Sequence, residues 1–159
     1  MIEGPYLVLG VLGVLATGLM AGVFYAFSVL VMRGLGALPP AQGVAAMKAI
    51  NTSALTPAFM VVFLGTGALC AVIAVVTFVL WPDRGTVELL LGSGLYLVGA
   101  FGVTVAANVP RNDALRKLEA GTSEAVRYWP TYVREWSVWN HIRALASLAA
   151  AVTYALALV

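Results

Sequence analysis

A chain of 159 residues with 10% charged and 62% hydrophobic side chains and a mean hydropathy of +0.96 departs far from the make-up of a water-soluble domain and reads first as a membrane protein. Its net charge of +2 comes from nine Lys and Arg that are spread rather than clustered, which argues against a nucleic-acid partner. A single cysteine, Cys70, excludes an internal disulfide, a CxxC redox pair and zinc-finger spacing, and its apolar setting suits a small core residue.

Four runs reach the roughly 20 apolar residues that a helix needs to cross about 30 Å of hydrocarbon. They cover about 5–32, 56–81, 87–109 and 136–159. Because backbone groups in lipid must be satisfied within the structure, the expected fold is all-α: an integral membrane four-helix bundle, one domain over 1–159, with short cytoplasmic amphipathic helices.

The first run begins at Pro5 without a basic leader or a small-x-small cleavage site, so it reads as a retained span rather than a signal peptide. At about 100° per residue, Gly10, Gly13, Thr17, Ala21, Phe24 and Ser28 share one smooth face. Such a face accepts either a neighbouring helix or a flat apolar ligand. Gly18 and Gly22 form a small-xxx-small pair suited to close helix approach.

A short helix is expected from Pro40 to Ile50. Thr56-Pro57 then reads as an N-cap followed by proline at the first helical position, and Trp81-Pro82 closes the second span. The brief turn from Asp83 to Thr86 makes spans two and three antiparallel neighbours. Span three ends in "ANVPRND", where Pro110 is expected to force the backbone out of the helix, and a short helix from Asp113 to Ala120, closed by Gly121, follows.

On the fourth span Trp136, Asn140, Arg143, Ser147 and Tyr154 line one side, while Val138, Ile142, Leu145, Val152 and Leu156 occupy the other. Arginine two turns into a lipid-facing helix costs several kcal/mol, so the polar stripe is expected to face the bundle interior, with His141 at its edge. Arg33, Lys48, Arg111, Arg116, Lys117, Arg127 and Arg134 sit on one side of the membrane against Arg84 on the other. That imbalance places both long segments in the cytoplasm and both termini outside, in the plasma membrane.

Asn51, Asn108, Asn112, His141 and Arg143 therefore reach one depth near the cytoplasmic mouth. Each alone is an ordinary cap or interface anchor, whereas their convergence is the mark of a site. Trp136 and Trp139 flank it and can stack on a planar ring or serve as interfacial belt anchors.

Four stretches, "GVFYAFSVLVMRGL" at 22–35, "MKAIN" at 47–51, "NVPRND" at 108–113 and "WSVWNHIR" at 136–143, resemble the anthrone oxygenase family of small four-span membrane proteins. The resemblance covers nearly the whole chain, and its N-x-P-x-N-D and W-x-x-W-N-H-x-R elements are far more specific than hydropathy. It implies oxidation of an anthrone to a quinone by O2 and assigns Asn51, Asn108, Asn112, Trp136, Asn140, His141 and Arg143 to the family's polar signature. Helix geometry adds Tyr25 and Tyr154.

An anthrone has an acidic benzylic methylene, and the enolate formed by deprotonation can pass an electron to oxygen. His141 is the one side chain with an ordinary pKa near neutrality and is the expected base. Arg143 and the amides of Asn140, Asn108 and Asn51 are expected to hold the oxyanion, with Asn112, Trp136, Trp139 and Tyr25 binding the ring system. No metal or other cofactor is expected: one histidine supplies neither bis-histidine haem ligation nor a two-histidine facial triad, although Asp113 or a second subunit can add a ligand. The expected partners are a hydrophobic aromatic molecule, O2 and the bilayer, and the glycine faces allow a homo-oligomer. A transporter or hydrophobic-ligand module, or a structural subunit of a membrane complex, is the alternative class.

Overall fold

The computed structural model of the protein describes residues 4–159, so Met1 to Glu3 of the expected single domain lie outside it. Its described residues are helical, with no strand among them. Helix α1 (Pro5–Ala26) starts with proline at its first turn, where a missing N–H costs nothing, and runs through a π-helical segment (Phe27–Val31) into α2 (Met32–Ala37). Leu38 is extended, as a residue before proline prefers, and Pro40 opens α3 (Pro40–Ser53). Helix α4 (Pro57–Leu80) ends where Trp81 takes a left-handed conformation (φ 43°) and Pro82 blocks continuation.

Gly85 (φ 73°) turns the chain into α5 (Thr86–Tyr96). Two π-helical segments, Leu97–Gly102 and Thr104–Asn108, extend this rod into α6 (Val109–Arg116). Thr122 caps α7 (Ser123–Ala157), its hydroxyl accepting from the Ala125 N–H at 3.3 Å.

Three rods are long and apolar enough to cross a membrane: Pro5–Ala37, Pro57–Leu80 and Thr86–Arg116. The fourth expected span is present as a helix, but α7 is not among those three. Its sequence averages an outward, largely apolar face with an inward stripe of Asn140, Arg143, Ser147 and Tyr154, all buried, and that stripe together with the exposed His141 lowers its mean hydropathy.

The four long helices form a ring: α7 packs on α1 and on α5, α4 packs on α5, and α1 closes the circle against α4. One buried cluster fills the ring with Met20, Phe24, Phe63, Cys70, Ile73, Leu89, Tyr96 and Tyr154. A second joins α2, α3 and α6 to the first half of α7 through Met32, Val44, Met47, Leu115, Trp129 and Tyr132. The smooth face of α1 is taken by α7, since a Cβ at Gly13 would meet the Tyr154 ring at 2.9 Å. Gly92 of α5 approaches the same ring from its other edge, at 3.1 Å.

Several local expectations need correction. Pro110 does not end the third rod; the wider π turn just before it accommodates the lost N–H, and the Arg111 guanidinium donates to the Ala107 carbonyl at 2.9 Å. Accordingly the helix expected over 113–120 lies earlier, at Val109–Arg116, and Gly121 falls in the turn that follows. The last helix starts at Ser123, well before 136, and passes through Pro130. Thr56 occupies the N-cap position of α4, yet its hydroxyl donates back to the Ser53 carbonyl at 2.8 Å instead of capping. Gly18 meets Ala151 at 4.0 Å, whereas Gly22 is open, so the pair does not act as one close-approach motif within the chain.

Candidate functional site

The polar stripe of α7 turns inward where the two buried clusters meet, and it borders a cavity of about 290 Å³. All four long helices and α3 contribute to the walls: Phe24 and Phe27 from the first rod, Asn51 from α3, Phe59 and Phe63 from α4, Phe101, Thr104, Asn108 and Asn112 from the third rod, Trp136 and Arg143 from α7. Three of the phenylalanines stack on one another along one side, with 8° between the rings of Phe59 and Phe63 and 13° between Phe63 and Phe101. Leu64, 47% exposed, and Val105, 56% exposed, border the cavity between α4 and the third rod, on the surface that an apolar solvent would wet.

Arg143 dominates the electrostatics. Its side chain is buried, Nη1 donates to Thr104 Oγ1 at 3.1 Å and Nη2 to Asn140 Oδ1 at 2.7 Å. The Nε–H is buried without a partner. The guanidinium carbon lies 4.4 Å from the Phe24 ring centroid and 5.1 Å from that of Trp136, and among the described residues no carboxylate forms a salt bridge with it. Asn108, also buried, donates through Nδ2 to the Trp136 carbonyl at 3.3 Å and leaves Oδ1 unpaired. Both residues border the cavity, and each keeps one buried polar atom unpaired, which is costly.

The rest of the site is held by α6 and the first half of α7. Asn112 Oδ1 accepts both the Tyr132 hydroxyl at 2.8 Å and the Trp136 indole N–H at 2.9 Å, which fixes the indole plane. Burial pushes the Tyr132 phenol above its ordinary pKa, so it remains a neutral donor. Nearby, Arg111 Nε donates to Glu135 Oε2 at 3.1 Å and ties α6 to α7.

The structure therefore brings Asn51, Asn108, Asn112, Trp136 and Arg143 together and places Asn140 directly behind Arg143. It does not bring His141, Trp139 or Tyr25 to the cavity. Tyr25 is 63% exposed on the outer surface of α1. Trp139 is half-buried under the Arg111 guanidinium, whose carbon lies 5.7 Å from the indole centroid. His141 is exposed, and its Nδ1 shares a hydrogen bond with Ser28 Oγ at 2.8 Å. That hydroxyl also accepts from Asn140 Nδ2 at 2.8 Å, so a chain of contacts runs from His141 through Ser28 and Asn140 to Arg143.

Tyr154 lies one core further in, bonded to Ser93. Thr104, Ser28 and Tyr132 escaped assignment as site residues. The first of these stands one turn before Asn108 on the same face, a spacing that marks a shared helix surface. Among the described residues, no three of His, Cys, Asp and Glu gather closely enough to hold a metal ion.

The fold and site define an all-helical membrane protein with an apolar internal cavity that holds a buried cation. The model of the anthrone oxygenase family matches residues 59–153, and the chain belongs to that family. The signatures at 108–113 and 136–143 fall inside this match, and those at 22–35 and 47–51 precede it. No curated protein and no solved structure matches the chain.

Proposed function

We propose that the protein oxidises an anthrone or a similar electron-rich polycyclic phenol to the quinone with O2, inside the cavity around Arg143. The observation that carries this reading is a buried guanidinium with an unpaired N–H and no carboxylate partner among the described residues, beside a cavity lined by stacked phenylalanine rings. Such a group stabilises negative charge that develops on a carbonyl oxygen, and low local dielectric strengthens the effect. The Asn108 amide at the cavity edge suits a hydroxyl on the same molecule, and the phenylalanine side chains give its rings apolar contact.

The reaction balances without a further reductant: the benzylic methylene and one molecule of O2 give a ring carbonyl and one molecule of water. Loss of one benzylic proton gives the enolate, whose oxygen rests on Arg143. One electron passes to O2, and superoxide and carbon radical combine to a peroxide that takes up a proton. Loss of water with the second benzylic proton leaves the carbonyl, so O2 accepts four electrons in all and divides between product and water. Among the residues that line the cavity Arg143 is the one ionisable side chain, so the first proton leaves to water at the mouth. On this reading His141 is a positioning residue: it holds Ser28, which holds Asn140, which holds Arg143.

The protein sits in the plasma membrane with the second half of α7 as its fourth span and both long segments in the cytoplasm. Purified protein in aerated detergent with unsubstituted anthrone should take up one O2 per quinone formed and should lose that activity in Arg143→Met. A rate no higher than uncatalysed autoxidation, or an unchanged Arg143→Met, would sink the proposal. Tight binding without turnover would favour a hydrophobic-ligand module instead.

A further inference from the structure

Beside the inner cavity lies a second hollow of about 330 Å³, lined by Lys48, Asn51, Thr52, Leu55, Val109, Asn112, Asp113 and Arg116. Asn51, Leu55, Val109 and Asn112 border both, so the two spaces meet along that seam. The character changes sharply across it. Inward, Arg143 is the one charge among apolar walls; outward, two cations and one anion surround the opening.

The charges of this vestibule do not cancel. Asp113 Oδ1 is engaged by Arg116 Nη2 at 3.0 Å. Lys48 is only half-buried, its Nζ donates to the Leu118 carbonyl at 2.7 Å, and no carboxylate among the described residues pairs with it. A backbone carbonyl orients the ammonium without neutralising it, so two further donor directions and the positive charge remain at the mouth.

The inner cavity is small for a ligand pocket, at the lower end of the usual ~300–1,000 Å³. It is closed inward by the packed cluster that includes Phe24, Phe63, Cys70 and Ile73, so a substituent on a bound ring system must extend toward the vestibule. We infer that the substrate is a polycyclic ketone or phenol carrying a carboxylate arm, with the rings against Arg143 and the arm on Lys48. This deepens the oxygenase reading and rests on it for the ring system, while the arm site is read by binding alone.

Equilibrium binding under nitrogen, in a neutral detergent, tests it with an anthrone carboxylic acid and its methyl ester. Wild-type protein should bind the acid about tenfold or more tightly than the ester, the gain of one charge-assisted contact. Lys48→Met should erase that preference and leave the ester within about twofold of wild type, while Lys48→Arg should keep it. Unchanged ester binding in Lys48→Met also reports that the variant is folded.

Equal affinity for acid and ester in the wild type, or equal weakening of both by Lys48→Met, overturns the inference. So does loss of the acid preference on adding phosphatidylglycerol but not phosphatidylcholine, which assigns the cation to a lipid headgroup. Admitting air then examines the chemistry separately: an acid that binds through Lys48 yet is never oxidised supports the arm site and sinks the oxygenase reading.

Discussion

Arg143 and Asn140, one helical turn apart on α7, form a 2.7 Å hydrogen bond in which the amide oxygen accepts from the guanidinium while the amide nitrogen donates to the Phe24 carbonyl and to Ser28. The amide thereby fixes a buried cation to the neighbouring helix without supplying any charge of its own. A carboxylate at position 140 would have cancelled the guanidinium; an amide leaves it able to attract an anion.

Arg143→Met removes the cost of burying a charge but leaves the buried Asn140 Oδ1 without its donor, two effects of opposite sign. The melting temperature in detergent should therefore change little while quinone formation falls about 100-fold or more, the usual loss when a donor to a developing oxyanion is removed. Thermal scans and oxygen uptake on the same sample read both halves. A variant that unfolds would mean that the guanidinium serves packing instead.

His141→Gln separates a positioning role from a basic one. A general base contributes about 10²- to 10⁴-fold, whereas a side chain three hydrogen bonds behind Arg143 should cost about tenfold or less. The rate measured from pH 5.5 to 8.5 should show the same profile in wild type and variant. A wild-type inflection that vanishes in His141→Gln would restore the histidine as base.

Asn112→Ala removes one oxygen that accepts from both Tyr132 and Trp136. Loss of that shared acceptor should destabilise the protein by about 1–3 kcal/mol and shift its tryptophan emission. Asn112→Asp, which keeps the acceptor, should lose less.

Two glycine substitutions should move stability in opposite directions. A Cβ at Gly43 would lie 2.6 Å from ring carbons of Trp129, so Gly43→Ala should cost about 1–3 kcal/mol by forcing α3 off α7. Gly22 has nothing within 4 Å of its virtual Cβ, and Gly22→Ala should gain about 0.5–1 kcal/mol from helix propensity alone. If Gly22→Ala is the harmful one, a second chain packs there.

Topology can be read with single cysteines, because Cys70 is fully buried and gives little background. In intact cells Arg84→Cys should react with an impermeant maleimide and Glu119→Cys should not. The reverse pattern would invert the proposed orientation.

Much of the architecture was legible from periodicity. Residues 136, 140, 143, 147 and 154 recur on one side of a 3.6-residue helix, and each is buried, while Val138, Leu145 and Val152 are exposed. The same arithmetic limits depth of reading. His141 is next to Asn140 in sequence, but one residue is about 100° of rotation, enough to carry it outside the wall. Trp139 leaves the cavity for the same reason.

The π segments at 97–102 and 104–108 were illegible because widening a helical turn changes hydrogen bonding and not hydropathy. Without them, Pro110 looks like a terminator. The early start of α7 was hidden by polar composition: 123–135 has the charge content of a loop, and its buried contacts with α3 come from Ala125, Trp129 and Tyr132, too few to stand out as an apolar run.

Tyr154, wedged between Gly13 and Gly92 and bonded to Ser93 at 2.8 Å, stoppers the far half of the barrel-like ring. What enters from the mouth meets a dead end. On the proposed reaction, starting material and quinone would trade places at the near end alone, so a bulky, slow-leaving product would throttle turnover long before the oxidation itself became limiting.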